Sequence, residues 1–170
     1  MFWNKIAGLY DLFENIYNKK VYTGTGKKVA EYINAEDQVL ECACGTGAIS
    51  IYIAEKCKSL IATDFADASF DKVVAGNVIH LLPEPEKALA ELKRVTKSGG
   101  TIIIPTYINM SKGSGTVAVK FIEILGANFK RQFDFESYKQ FFTDMGYSDV
   151  TYEVVDGRMP CALAIIKNSQ

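Results

Sequence analysis

The sequence predicts an α/β protein built on a doubly wound, mostly parallel sheet that ends in an antiparallel hairpin. Three observations predict it. Residues 39–47, Val-Leu-Glu-Cys-Ala-Cys-Gly-Thr-Gly, read as a short apolar strand closing on a carboxylate, then a small-residue turn, then a helix starting near Ala48. Ile49, Tyr52 and Ile53 at helical spacing lead into a second apolar run, 58–64, that also closes on a carboxylate, which makes a strand–helix–strand unit and a parallel pairing. Residues 150–155 and 161–166 are apolar runs joined by Asp156-Gly157-Arg158-Met159-Pro160, a connection short enough for a hairpin.

The remaining elements follow in order. Ile6, Leu9, Tyr10, Phe13, Ile16 and Tyr17 predict an amphipathic helix over 2–19 that packs on the sheet. Gly24 and Gly26 break that pattern, and 27–33 predicts a second, short helix with Val29, Ala30 and Ile33 inward. Asn34-Ala35-Glu36-Asp37 turns into the first strand, and 71–78 is a third strand run. Pro83 and Pro85 open a helix with Ala88, Leu89, Leu92 and Val95 on one face. Lys97-Ser98-Gly99-Gly100 reads as its glycine stop, and 101–105 as a fourth strand buried on both faces. Residues 112–115 are small and polar, predicting a mobile loop before a helix through Val117, Phe121, Ile124 and Leu125. Another helix, 135–145, closes at Gly146, and the helical spacing of the aromatics in 129–142 predicts core packing rather than a ligand box.

A chain of 170 residues is long enough for one domain with a sizeable core and short for two. One domain is expected, with 1–34 as helices covering a site and 35–170 as the core. Apolar residues make up 48%, charged residues 23% and the formal charge is -1, so there is no electrostatic case for a nucleic-acid partner. Polar residues interrupt the apolar N-terminus and no run reaches membrane-spanning length, which predicts a cytoplasmic protein without a membrane partner. Cys42, Cys44, Cys57 and Cys161 lack zinc-site spacing and His80 is the only histidine, so packing, and no metal site, is expected of them.

In an open parallel sheet, ligands bind beyond the carboxyl ends of the strands where the strand order reverses. The chemistry-bearing residues gather there: Glu41 to Gly47, Asp64, Asn77 to His80, and Thr106 to Asn109. Gly45 and Gly47 let backbone approach a ligand, and Asp64 is placed either to accept hydrogen bonds from ribose hydroxyls or to cap a turn.

The chain resembles the class I S-adenosylmethionine-dependent methyltransferases, specifically the small ubiquinone and menaquinone type. The resemblance rests on four segments in order: 39–47, Ala-Thr-Asp-Phe at 62–65, Ser-Phe-Asp-Lys-Val-Val-Ala-Gly-Asn-Val-Ile-His-Leu-Leu-Pro-Glu-Pro at 69–85, and Leu-Lys-Arg-Val-Thr-Lys-Ser-Gly-Gly-Thr at 92–101. It implies a Rossmann-like sheet and S-adenosylmethionine as cofactor. It implies further that Glu41 with the backbone of Ala43, Cys44, Gly45, Thr46 and Gly47 holds the methionine part. Asp64 would bind the ribose, Phe65 would lie against adenine, Asn77 and Val78 would offer backbone groups beside the sulfonium, and Tyr10 and Tyr22 would cover the site. Ala43 stands where the family usually has its first glycine.

The reaction implied is methyl transfer to a small-molecule acceptor, an in-line displacement that mainly demands alignment and exclusion of water. His80, on the rim and titrating near neutrality, is the candidate base; packing is its alternative role. The chain departs from the family after Phe65, where a helix and a strand are lacking before Asp67. That departure predicts a compromised adenine side with weakened or lost cofactor affinity, and a trimmed fold would leave a sheet face uncovered and suited to a homodimer; the alternative function is a non-catalytic binding or assembly module on the same scaffold. A nicotinamide-dependent dehydrogenase fits less well, because Ser50 would occupy its third glycine position and Glu41 would be unexplained.

Overall fold

The six apolar runs form six strands: β1 Gln38–Cys42, β2 Ser59–Ile61, β3 Phe70–Ala75, β4 Thr96–Tyr107, β5 Val150–Val155 and β6 Cys161–Lys167. The computed structural model describes residues 19–42, 44, 47, 49–61, 67–109 and 131–169. The strands make one sheet in the order β2-β1-β3-β4-β6-β5. β1 to β4 pair in parallel, and β6 inserts antiparallel between β4 and β5. Chain order reverses at β1, which has β2 on one side and β3 on the other, so the crevice of this sheet opens beyond the carboxyl ends of β1 and β3.

Consecutive Ile102, Ile103 and Ile104, all 1% exposed or less, require cover on both faces of β4. Helices α1 (Lys19–Ala30), α2 (Ser50–Ala54), α3 (Pro85–Val95) and α4 (Phe135–Asp144) provide it. On one face Val21 and Val29 of α1, Ile33, and Ile49 and Ile53 at α2 pack on Val39, Val74, Ile103, Leu163 and Ile165. On the other, Leu89, Leu92 and Val95 of α3 and Tyr138, Phe141 and Phe142 of α4 pack on Leu40, Val73, Ile102, Ile104, Ala164 and Ile166. The aromatics of this region are core: the Tyr138 and Phe142 rings meet edge to face at 5.1 Å, and the Tyr138 hydroxyl donates to the Ile104 carbonyl at 2.5 Å. At the start of α4, the Ser137 N–H donates to Asp134 Oδ1 at 2.8 Å while the Asp134 N–H donates to Ser137 Oγ at 2.9 Å, a reciprocal cap.

Two expectations are corrected. Gly24 and Gly26 do not break a helix; α1 runs through both. A Cβ on Gly26 would lie 2.2 Å from Tyr52 Cδ2, and one on Gly24 would lie 2.8 Å from Val155 Cγ1. The glycines let α1 approach α2 and β5 closely, and tertiary packing outweighs their poor helix propensity. Nor does the pair at 99–100 stop α3. That helix ends at Val95, Thr96 Oγ1 donates to the Leu92 carbonyl at 2.6 Å, and Thr96 already pairs with Phe70 in β4. The glycines accommodate an irregularity in the strand: Gly99 has φ +73°, and a Cβ on Gly100 would stand 2.7 Å from Thr96 Cγ2 and 2.9 Å from the Asp71 carbonyl. The Asn168 side-chain amide closes the bulge, donating to the Thr96 carbonyl at 2.8 Å and to that of Lys93 at 3.2 Å.

β2 is the edge strand, and residues 62–69 alone connect it to β3 on the far side of β1. The end of this connection is fixed to α3: the Ala68 N–H donates to the Arg94 carbonyl at 2.9 Å and that of Ser69 to Val95 at 2.8 Å. Among the described residues Ile51, 60% exposed, is the one large apolar side chain in solvent, and no helix is long and apolar enough to cross a membrane. The helices expected over 2–18 and 117–125, and the loop 112–115, lie outside the described residues.

Candidate functional site

β1 delivers its carboxylate to the crevice already buried. Glu41, level with Val74 of β3, is 5% exposed. Burial pushes its carboxyl above the usual carboxylate range, against the opposing pull of a hydrogen bond from the Ser50 hydroxyl. Its Oε2 has no partner among the described residues. A buried carboxylate oxygen without a donor is costly, so this atom is an open valence of the site.

Gly47 follows with φ +87°, a conformation only glycine adopts without strain. Its N–H donates to the Cys44 carbonyl at 2.9 Å, closing the turn, and its carbonyl accepts from the Ile51 N–H at 3.2 Å. A Cβ placed on Gly47 would sit 3.6 Å from Ser50 Oγ, so Ser50 borders the turn. Helix α2 is only five residues long, and its dipole contributes little.

The exit of β3 closes the opposite side. A Cβ on Gly76 would stand 2.8 Å from Ile49 Cδ1, which sets this exit against the start of α2. Asn77 has φ +52°, tolerable for asparagine, and ties two strand ends together. Its N–H donates to the Pro105 carbonyl at 2.8 Å, and its Oδ1 accepts from the Tyr107 N–H at 3.2 Å. The Val78 carbonyl accepts from the Leu81 N–H at 2.9 Å.

His80 does not titrate near neutrality on an open rim. It is 9% exposed, and burial brings its imidazole down to about 4. The short 3₁₀ turn Ile79–Leu81 that carries it is pinned from outside: the His80 carbonyl accepts from the Arg131 N–H at 3.1 Å, and Arg131 Nη1 donates to the Leu82 carbonyl at 2.6 Å.

Of the site residues expected from sequence, Glu41, Cys44, Gly47, Asn77, Val78 and His80 are therefore gathered around one sheet end. Tyr10, Ala43, Gly45, Thr46, Asp64 and Phe65 lie outside the described residues. The backbone of Tyr22 belongs to α1, whose Gly24 meets Val155, the residue paired with Cys161 at the same sheet end. The four cysteines are free thiols, Cys44 exposed and Cys161 buried, and no group of three ligating side chains gathers among the described residues. Two residues escaped the sequence reading, Ser50 and Gly76. The signal for Ser50 was its position one short turn beyond Gly47, where a hydroxyl can reach back to the strand end.

A parallel sheet reversing at β1, a buried acid and glycine turn at its tip, and an antiparallel terminal hairpin define the architecture of the class I S-adenosylmethionine-dependent methyltransferases. The methyltransferase domain family matches residues 61–104. The demethylmenaquinone methyltransferase of Renibacterium salmoninarum is 27% identical over 203 aligned positions, covering 91% of this chain and 86% of that protein. The alignment is longer than this chain, so the relative carries residues that have no counterpart here. A solved S-adenosylmethionine-dependent methyltransferase of Thermotoga maritima shares the fold with a TM-score of 0.72 at 15% identity, covering 98% of each chain. The Burkholderia thailandensis 1,6-didemethyltoxoflavin-N1-methyltransferase, solved with bound 1,6-didemethyltoxoflavin and S-adenosylhomocysteine, has a TM-score of 0.68 at 12% identity, covering 99% of this chain and 87% of that one. In sequence the chain is similar to the demethylmenaquinone methyltransferases, and it shares the fold of solved S-adenosylmethionine-dependent methyltransferases.

Proposed function

We propose that this protein transfers a methyl group from S-adenosylmethionine to a small-molecule acceptor. The observation that carries the reading is the buried Oε2 of Glu41, which has no partner among the described residues at the strand end that leads into the Gly47 turn. An acceptor-only oxygen in that position suits a cationic amino group, and the methionine end of the cofactor carries one. When bound, S-adenosylmethionine supplies an electrophilic methyl carbon on its sulfonium.

Each residue then has a task. Glu41 holds the amino group, and Gly47 keeps the turn open for close backbone approach. Asn77, clamped between β3 and β4, and Val78 fix the wall beside the reacting centre. Displacement at a methyl carbon needs the acceptor in line and water excluded, which the packed exits of β1, β3 and β4 support. His80, neutral at physiological pH and too weak a base to draw a proton readily, packs this wall.

A second reading, a binding module that keeps the scaffold without turnover, draws on the 62–69 connection and on the alignment that exceeds the chain's length. Both point to a trimmed adenine side and hence to weakened cofactor affinity. Calorimetric titration with S-adenosylhomocysteine, followed by transfer of a radiolabelled methyl group to a small-metabolite panel, tests both readings. Binding with transfer is the expected result, binding without transfer favours the module, and failure to bind overturns the cofactor reading.

A further inference from the structure

Resting on that reading, we propose that Thr25 is a further binding residue of the site: its hydroxyl donates to the carboxylate at the methionine end of the cofactor, whose amino group Glu41 takes. Neither the sequence pattern nor the resemblance assigns a role to this threonine. Thr25 is 4% exposed, and its Oγ1 has no partner among the described residues. It stands at four-residue spacing between Val21 and Val29, both buried in the core, so it lies on the stripe of α1 that packs on the sheet. A threonine within a helix can satisfy its hydroxyl on the carbonyl four residues earlier. This one does not, and a buried hydroxyl left open is a donor for a group the described residues do not supply.

Two glycines fix where α1 presents it. Gly24 lies against Val155, which pairs with Cys161, itself paired with Tyr107 at the carboxyl end of β4. Gly26 lies against the Tyr52 ring of α2, the helix that follows the Gly47 turn. Thr25, between them, is held over the crevice end of the sheet. Glu41 opens into the same layer, because it shares the β1 face of Val39, which packs with Val21 and Val29. Lys28, one turn along α1, is committed to Glu31 and Glu153, each at 2.8 Å. An α-amino acid end carries one ammonium and one carboxylate; an acceptor-only oxygen suits the first, and a neutral hydroxyl donor suits the second without burying a further charge.

The test uses Thr25→Val, which removes the hydroxyl and keeps the branched shape, and Thr25→Ser, which keeps the hydroxyl, in the full chain. In urea unfolding without ligand, T25V should be at least as stable as wild type, because the hydroxyl it removes has no bond to lose. By calorimetry, T25V should bind S-adenosylhomocysteine about tenfold more weakly, and T25S should recover most of the affinity. Decarboxylated S-adenosylhomocysteine isolates the contact, and wild type and T25V should bind it equally. Wild-type affinity of T25V for S-adenosylhomocysteine overturns the proposal. So does an equal loss toward both ligands, which would report packing, and so does a destabilised T25V, which would show that the hydroxyl serves the fold. A wild type that binds neither ligand overturns the cofactor reading and this proposal with it, an outcome distinct from a wild type that binds both while T25V matches it.

Discussion

Glu41 places stability and function in opposition at a single atom. Burial raises its folded-state carboxyl above the unfolded value. The folded state therefore takes up its proton more readily, and the fold loses stability as pH rises from the unfolded value through the folded one. Glu41→Gln removes the buried charge while keeping the shape. It should stabilise the protein by about 0.5–2 kcal/mol at pH 7.5 in urea unfolding, and weaken S-adenosylhomocysteine binding at least about tenfold in calorimetry. His80 acts in the other direction. Its imidazole, lowered from 6.5 to about 4 by burial, contributes stability that is full above pH 6.5 and lost as pH falls to about 4. Wild type should lose about 2–3 kcal/mol between pH 7 and pH 4.5 from this group, and His80→Gln should lack that part of the slope; identical slopes would show that His80 is not the titrating group.

At the scale of elements, the tightest device is the crossing of α1 and α2. Gly26→Ala gains about 1 kcal/mol of helix propensity, but its methyl would enter the Tyr52 ring. Overpacking of this kind costs about 1–3 kcal/mol, so the variant should be destabilised in net. Combining it with Tyr52→Ala should show a favourable coupling in a double-mutant cycle, and strictly additive effects would argue against the contact. Asp134→Ala removes the reciprocal cap of α4. It should cost about 1 kcal/mol in chemical denaturation.

These elements show what the sequence made legible. The paired apolar runs, the Asp-Gly hairpin and the face of α3 all follow from local periodicity, and the structure keeps them. The glycines of α1 and of β4 were misread because glycine marks both a chain break and a close approach, and only the partner distinguishes them. Tyr52 and Asp71 are those partners, distant in sequence. For the same reason Glu41 could be singled out from the strand end it occupies, whereas the burial of His80 could not. The 3₁₀ turn that carries it is tied by its His80 and Leu82 carbonyls to Arg131, about fifty residues further along the chain.

At the scale of the molecule, protection should be graded across the sheet. The central strands carry fully buried residues such as Val73, Ile103 and Leu163, while β2 is a three-residue edge. Native-state hydrogen exchange should therefore be slowest at Val73, Ile103 and Leu163, and fast at Leu60. Protection of Leu60 equal to that of Ile103 would show that something further covers the edge. Saturation with S-adenosylhomocysteine at a hundred times its dissociation constant should add about 2.7 kcal/mol to global stability.

The insertion of β6 between β4 and β5 also governs the order of events during synthesis. Both strands that β6 separates leave the ribosome before it does, and they are parallel to one another once the sheet is complete. A nascent chain thus exposes β4 with a vacant hydrogen-bonding edge, which the intended neighbour reaches last. Until Cys161–Lys167 has emerged, β4 lacks its partner on that edge and β5 has no partner in the sheet, and the interval between translation of β4 and of β6 is when this chain has greatest need of a chaperone.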